Sequence, residues 1–149
     1  MPVLIDSSGN GEYTASVEKK KALIITDNSR TVTDMAHIIA NVVNEGEFGY
    51  SAAIILAENF SGSDILPVHA FFLGCDGPFP VSFFYIEELF DHINLAGRKC
   101  GCFSGDKKAI KYLSRVIRNC EAAPGKPLLA KSNELSRDEA QNWIQNILK

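Results

Sequence analysis

The residues of this sequence best suited to covalent or metal chemistry are four cysteines and three histidines. The cysteines lie inside or beside apolar segments, without the CxxC spacing or the nearby histidine pair of redox and zinc sites. We therefore interpret them as reduced thiols of the core, and the widely separated histidines as ordinary side chains. Two cysteines form a CxC, which at strand spacing points both sulfurs to the same face of a sheet. The positions are Cys75, Cys100, Cys102 and Cys120, with His37, His69 and His92.

Composition limits the classes of function. The chain has 149 residues, 46% of them hydrophobic, which suits one domain built on a central sheet. Its formal net charge of −3 argues against nucleic acid or a membrane as partner and favours a small molecule or a protein. No apolar run approaches the roughly 18 residues of a membrane helix, and no secretory signal begins the sequence, so we expect a cytoplasmic protein. Neither a GxSxG elbow nor a GxxxxGKS/T loop is present, so nothing favours a hydrolase or a nucleoside triphosphatase.

The elements that would position a site follow from the apolar pattern. From Lys21 onward, short apolar runs alternate with amphipathic stretches, which predicts parallel strands joined by helices. Most runs are apolar at consecutive positions, as expected when helices cover both faces of a sheet. We predict five strands, at 21–26, 51–57, 69–75, 99–104 and 127–130. Residues 1–20 are predicted to be an N-terminal extension with a hairpin of two strands, Val3 to Ile5 and Glu12 to Val17, and residues 21–149 the α/β domain.

Four helices are predicted from apolar stripes with helical spacing. Two of them have a hydroxyl followed three residues later by an acid, the spacing of a capping box: Thr31 with Asp34, and Ser136 with Glu139. The segment 59–68, where a further crossover helix belongs, is broken by glycine and proline and is predicted to be a loop or a single helical turn. The stripes are Met35, Ile38, Ile39, Val42 and Val43; Ile86, Leu89, Phe90 and Ile93; Ile110, Leu113, Ile117 and Cys120; and Ala140, Trp143, Ile144, Ile147 and Leu148.

Two segments, FLGCDGPFP at 72–80 and FFYIEELFDHINLAGRKCGCFSGD at 83–106, resemble the middle of a flavodoxin. In that family an apolar strand ends in a turn, a helix leads to G-[RK]-K, and the next strand ends in phenylalanine and a loop of small residues. The resemblance implies a three-layer, doubly wound, five-stranded parallel sheet of order 2-1-3-4-5, with flavin mononucleotide (FMN) bound where the strand order reverses. It also implies electron transfer to and from redox partner proteins.

The first loop that the resemblance implicates is TDNSRT, at 26–31. It stands where flavodoxins have Ser/Thr-x-Thr-Gly-Asn-Thr around the FMN phosphate. Two residues depart from that pattern, because Ser29 replaces a glycine and Asp27 brings a carboxylate toward a dianion, which Arg30 could offset. The alternative is that Thr31 only caps a helix and the loop binds nothing. By resemblance, the phosphate hydroxyls are those of Thr26 and Thr31, and the N–H groups those of Asn28, Ser29 and Arg30.

The other two loops follow the third and fourth strands. In the second loop, by resemblance, an aromatic side chain contacts the flavin ring, and Phe79 either has that role or packs beneath the following helix. The third loop is shorter than in flavodoxins and lacks their second aromatic; Tyr112 falls about a turn inside the next helix. The binding residues implied here are Gly74, Cys75, Asp76, Gly77 and Phe79 in the second loop, and Ser104 and Gly105 in the third.

Several hypotheses remain open on the sequence alone. The first is an FMN-binding electron carrier, and the second is a flavodoxin-like domain without flavin that acts as a binding or interaction module. An FMN-dependent reductase ranks last, because no substrate pocket is evident. The N-terminal VLIDSSGNGEYTA also resembles the opening of a flavodoxin, but residues 12–20 are too short for a crossover helix, so we favour 26–31 as the phosphate loop. The predicted helix after Asp106 has a basic face that is either simply solvated or docks an acidic partner.

Overall fold

The computed structural model describes residues 3–5, 13–15, 18–131 and 134–149. In the extension, strands β1 (Val3–Ile5) and β2 (Tyr13–Ala15) pair antiparallel, which confirms the predicted strand pair over the residues that the structure describes. The segment 7–11, the alternative phosphate loop, lies outside the described residues.

The main sheet begins with β3 (Lys20–Thr26), which pairs in parallel with β4 (Tyr50–Leu56) on one side and with β5 (Ala70–Gly74) on the other. Strand β6 (Lys99–Ser104) follows β5, again in parallel. The order of the five strand positions is therefore 2-1-3-4-5, as predicted. It places the reversal of strand order between β3 and β5, where parallel α/β sheets open a crevice.

The fifth strand position differs from the prediction. A single strand at 127–130 was expected, but two short strands, β7 (Ala123–Pro124) and β8 (Leu128–Leu129), both pair with β6. Pro127 has no N–H to donate to a sheet, and the Gly125 N–H donates to the Cys100 carbonyl at 2.8 Å before the chain leaves the ladder. The strand therefore breaks between β7 and β8.

The described residues form five α-helices, which make the outer layers: α1 (Arg30–Glu45), α2 (Gly62–Ile65), α3 (Phe84–Phe90), α4 (Lys107–Arg118) and α5 (Arg137–Leu148). Buried residues of α1 and α5 pack on the sheet face of Ala22 and Ile24, and those of α3 and α4 on the face of Leu23 and Ile25. This alternation makes the three-layer, doubly wound fold that was predicted. The single turn of α2 confirms the prediction for 59–68. All predicted stripe residues are at least partly buried, although α3 ends before Ile93 and α4 before Cys120.

The two predicted capping boxes have different outcomes. At α5, Ser136 Oγ accepts from the Glu139 N–H at 3.1 Å and the box forms as expected. At α1 the prediction was wrong, because the helix begins at Arg30 with Ser29 as its N-cap residue and Thr31 lies inside the first turn. No side chain caps this helix. Helix α1 therefore starts two residues earlier than predicted, because Asp27, and not Thr31, organises the turn before it, as described below.

Gly74 ends β5 beside the ring of the fully buried Phe103. A Cβ at position 74 would lie 2.5 Å from ring atoms of Phe103, closer than packed atoms approach. Because that ring sits in a filled core, we expect Gly74→Ala to lower the free energy of unfolding by about 1–3 kcal/mol. Urea denaturation measures the change. Gly77→Ala is the matched control, since a Cβ there meets nothing within 4 Å; equal stabilities for the two variants would contradict this packing.

Candidate functional site

Three loops meet at the carboxyl ends of β3, β5 and β6, where the sequence placed the site. The Asp27 N–H donates to the Gly74 carbonyl at 3.2 Å, which joins the first loop to the second. Ser104 Oγ donates to the Cys75 carbonyl at 2.6 Å and accepts from the Asp106 N–H at 3.1 Å, which joins the second loop to the third. The structure thus joins the three predicted loops at the carboxyl ends of the strands.

A single carboxylate organises the first loop. Asp27 Oδ1 accepts from the Ser29 N–H at 3.2 Å and from Ser29 Oγ at 2.7 Å. Asp27 Oδ2 accepts from the Asp76 N–H in the second loop at 2.8 Å. Hydrogen bonds to an ionised acceptor are the stronger kind, so this half-buried side chain fixes both loops. It also takes up one donor that the resemblance assigned to the phosphate, the Ser29 N–H.

Thr26 is fully buried at the end of β3, and its hydroxyl oxygen has no hydrogen-bond partner among the described residues. Side chains alternate along a strand, so Thr26 shares the face of Ala22 and Ile24, which α1 covers. A buried hydroxyl without a partner costs about 1–3 kcal/mol, and such groups call for a specific explanation. This hydroxyl therefore lacks a hydrogen bond that a polar group bound at this end of the sheet would supply.

The start of α1, four residues further along the chain, offers further donors. The Thr33 N–H closes the first turn by donating to the Ser29 carbonyl at 3.0 Å. The N–H groups of Arg30, Thr31 and Val32 donate to no acceptor among the described residues, as is usual for the first turn of a helix. Amides of this kind, at the positive end of a helix dipole, attract anions. The Arg30 side chain is exposed, and it makes no ion pair with any described residue.

These residues fit the phosphate of FMN, with one competing anion. The partnerless Thr26 hydroxyl and the free amides at the start of α1 are the donors that a phosphate requires. Asp27 is the competitor, because its charge lies in the same loop. Thr31 is half-buried and Asn28 exposed.

The second loop presents an aromatic wall. Phe79 is 85% exposed, so the alternative that it packs beneath α3 was wrong. The fully buried Phe83 occupies that place in the core instead. Pro78 and Pro80 flank Phe79 and limit the backbone freedom of the loop around it. An exposed ring held in this way is available for contact with a flat ligand or with another protein.

The third loop supplies little surface. Gly105 is half-buried and Asp106 caps α4, its carboxylate accepting from the Lys108 N–H at 3.2 Å. Tyr112 is 6% exposed and donates its hydroxyl to Glu87 Oε2 at 2.9 Å. Because this tyrosine is committed to the interface between α3 and α4, a ring bound at the three loops would meet an aromatic residue on one side only.

All four cysteines are buried, and Cys100 and Cys102 belong to the same core face, as the CxC spacing predicted. Burial raises the pKa of the Cys75 thiol to about 12, with the Asp27 carboxylate adding to the shift, and raises that of Cys100 to about 12. The reactive thiolate is therefore scarce in the folded protein.

We expect the native protein to react negligibly with Ellman's reagent at about pH 8, and to release four equivalents of thiol once guanidinium unfolds it. The physical reason is that the folded state raises the pKa of each thiol and covers its sulfur. Absorbance at 412 nm follows the reaction. Rapid labelling of one or more cysteines in the native protein would contradict their assignment to the core.

A groove of about 530 Å³ runs between the second loop and α4, and the sequence did not predict it. Its apolar wall is Pro78 and Phe79, and its charged wall is Lys108, Lys111, Arg115 and Arg118. The spacing of these basic residues was a visible signal for one charged helix face. That Phe79 lies opposite this face depends on tertiary packing and had no signal in the sequence.

Comparisons with known proteins give a fold and no closer relationship. No family model matches the sequence, and no curated protein matches it. Solved structures match well: a Streptococcus pneumoniae flavodoxin at TM-score 0.72 and 15% identity, covering 85% of this chain and 95% of that one. Flavodoxin 2 from Bacillus cereus matches at TM-score 0.66 and 18% identity, covering 85% and 96%. A short-chain flavodoxin associated with a bacterial microcompartment matches at TM-score 0.73 and 9% identity, covering 86% and 96%.

The fold is therefore flavodoxin-like, as the resemblance implied. Within the part of the chain that the structure describes, no helix is both long and apolar enough to span a membrane. The same residues contain no cluster of three or more histidine, cysteine, aspartate or glutamate side chains arranged to hold a metal ion.

Proposed function

We propose that this chain is an FMN-binding electron-transfer protein. The observation that carries the proposal is the buried, partnerless Thr26 hydroxyl, on the sheet face that α1 covers and at the point where the strand order reverses. A phosphate would satisfy that hydroxyl together with the free amides of α1. The flavodoxin-like fold is consistent with this role and does not by itself establish it.

The residues divide into two groups by what they would hold. Thr26 and the N–H groups of Arg30 and Thr31 would bind the phosphate, with the Arg30 guanidinium supplying positive charge. Phe79 would cover one face of the ring, and the backbone of Gly77 and Gly105 would border its edge. FMN, when bound, supplies the chemistry by accepting and donating one or two electrons, so this chain would need no catalytic acid or base. The electrons would be exchanged with redox partner proteins.

Titration with FMN tests the proposal, and riboflavin, which lacks the phosphate, is the matched control ligand. Flavin fluorescence and the melting temperature are followed together. FMN at about 100 times its Kd stabilises a protein by about 2.7 kcal/mol, which for a chain of this size raises Tm by about 5–10 °C. We expect this shift with FMN and a shift several-fold smaller with riboflavin. No quenching and no shift at high FMN would contradict the proposal.

The second candidate is a flavodoxin-like domain that works without flavin as an interaction module. The bonds of Asp27 favour it, because an internal carboxylate already occupies the Ser29 and Asp76 amides. In that case Asp27 would replace the ligand as the anion of the first loop. The FMN titration separates the two candidates, since this one requires that FMN leave Tm unchanged.

A further inference from the structure

We propose that the groove between Pro78–Phe79 and α4 is a docking site for an acidic segment of a partner protein, with an apolar or aromatic side chain of that segment against Phe79. This goes beyond flavin binding. The groove shares Phe79 with the proposed flavin site, but the rest of its charged wall belongs to α4.

Charge is the first reason. Helix α4 has five basic residues and no acidic one, although the whole chain has a formal net charge of −3. The five are Lys107, Lys108, Lys111, Arg115 and Arg118, and all are exposed. Among the described residues the only ion pair joins Arg137 to Glu45, so no described carboxylate pairs with any of the five. A concentration of one sign of charge on a chain of the opposite sign is complementary to an acidic surface.

The length of the basic row decides the kind of ligand. Lys108 and Arg118 are ten positions apart in α4, which corresponds to about 15 Å along the helix axis. A single phosphate or carboxylate would contact one end of this row, whereas a chain with several carboxylates contacts all of it. A nucleic acid strand has suitable spacing too, but its successive bases need several stacking aromatics, and the lining of the groove offers one well-exposed ring, Phe79.

Two side chains of the groove, Arg115 and Phe79, are held in position before a partner binds. Arg115 lies over the ring of Tyr112, 5.4 Å from its centroid, so the ring holds the guanidinium at the groove. Tyr112 is itself fixed by its hydrogen bond to Glu87. Opposite, Phe79 exposes 85% of its surface between two prolines. A pre-positioned cation and an exposed ring reduce the entropy lost on binding.

The test uses a fluorescein-labelled peptide of eight glutamates around one tryptophan, titrated in about 50 mM NaCl without FMN. We expect saturable binding that weakens at least about tenfold when the salt is raised to about 300 mM, because exposed charges are screened. Lys111→Glu should weaken binding about tenfold, whereas Lys126→Glu, the same change at an exposed site outside the groove, should alter it less than about twofold. Phe79→Ala should weaken binding about fivefold, and Phe84→Ala, also an exposed phenylalanine, should not.

Failure has distinct forms. Absence of saturable peptide binding, or equal effects of Lys111→Glu and Lys126→Glu, would overturn the proposal. Binding of a twelve-residue oligothymidine as tightly as the peptide would overturn it in favour of nucleic acid. If Phe79→Ala and Phe84→Ala weakened binding equally, Phe79 would not contact the peptide, and that part of the proposal would be contradicted. Because no flavin is present, these outcomes are independent of whether the chain binds FMN.

Discussion

Asp27→Asn is expected to tighten FMN binding at least tenfold. The Asp27 carboxylate lies in the loop where the phosphate would bind, and its charge repels a dianion. Two unit charges about 6 Å apart repel by about 1–3 kcal/mol at intermediate effective dielectric, and about 1.4 kcal/mol is a tenfold change in affinity. Asparagine keeps an oxygen for the Ser29 donors and removes the charge. Fluorescence titration gives the two dissociation constants.

The same variant should be less stable than the native chain when no ligand is present. The Asp76 N–H loses an ionised acceptor at 2.8 Å, and we expect a loss of about 1–2 kcal/mol in the free energy of unfolding. Asp91→Asn is the matched control, because Asp91 accepts one bond from Asn119 that asparagine can also accept. An FMN affinity that is unchanged or lower in Asp27→Asn would show that the carboxylate does not compete with the ligand.

Thr26→Val is expected to have effects of opposite sign on the free and FMN-bound protein. Valine has nearly the shape of threonine and removes the partnerless hydroxyl, so we expect the free protein to gain about 1 kcal/mol of stability. The bound form loses its buried phosphate donor, so the Tm shift with FMN should fall toward the smaller shift with riboflavin. Urea denaturation and thermal melts with each flavin measure the two effects.

Thr33→Val makes the same chemical change in the first turn of α1. Thr33 Oγ1 donates to the Ser29 carbonyl at 2.9 Å and to the Arg30 carbonyl at 3.0 Å, so its removal should stabilise nothing. If Thr26→Val were destabilising like this control, the Thr26 hydroxyl would have a partner in solution. The proposal that the Thr26 hydroxyl is left for the phosphate of FMN would then be contradicted.

The sheet could be predicted from the sequence because its pattern is local. Consecutive apolar residues at 22–25 specify a strand covered on both faces, and the stripe from Met35 to Val43 specifies the helix after it. The split of the fifth strand was missed although Pro127 is visible in the sequence, since β7 pairs through Ala123 and Pro124, which have no strand pattern. The hairpin turn and the segment 132–133 lie outside the described residues.

The site could be predicted only in part. The predicted strand ends gave the positions of the three loops. The sequence also showed that Asp27 is a carboxylate in the loop predicted to bind a phosphate. Its bond to the Asp76 amide joins residues 49 positions apart and could not be inferred from either loop alone. The exposure of Phe79 could not be predicted from the sequence either. Phe83 and Phe84 nearby have the same side chain, and only packing decides that Phe83 is the buried one.

The measurement that tests phosphate binding most directly is an amide NMR titration of the ¹⁵N-labelled protein with FMN. Binding at the first loop predicts that the largest shifts occur at Arg30, Thr31 and Val32, the free amides of α1, and that riboflavin shifts them far less. Shifts confined to other parts of the chain, or equal shifts with the two flavins, would contradict the account.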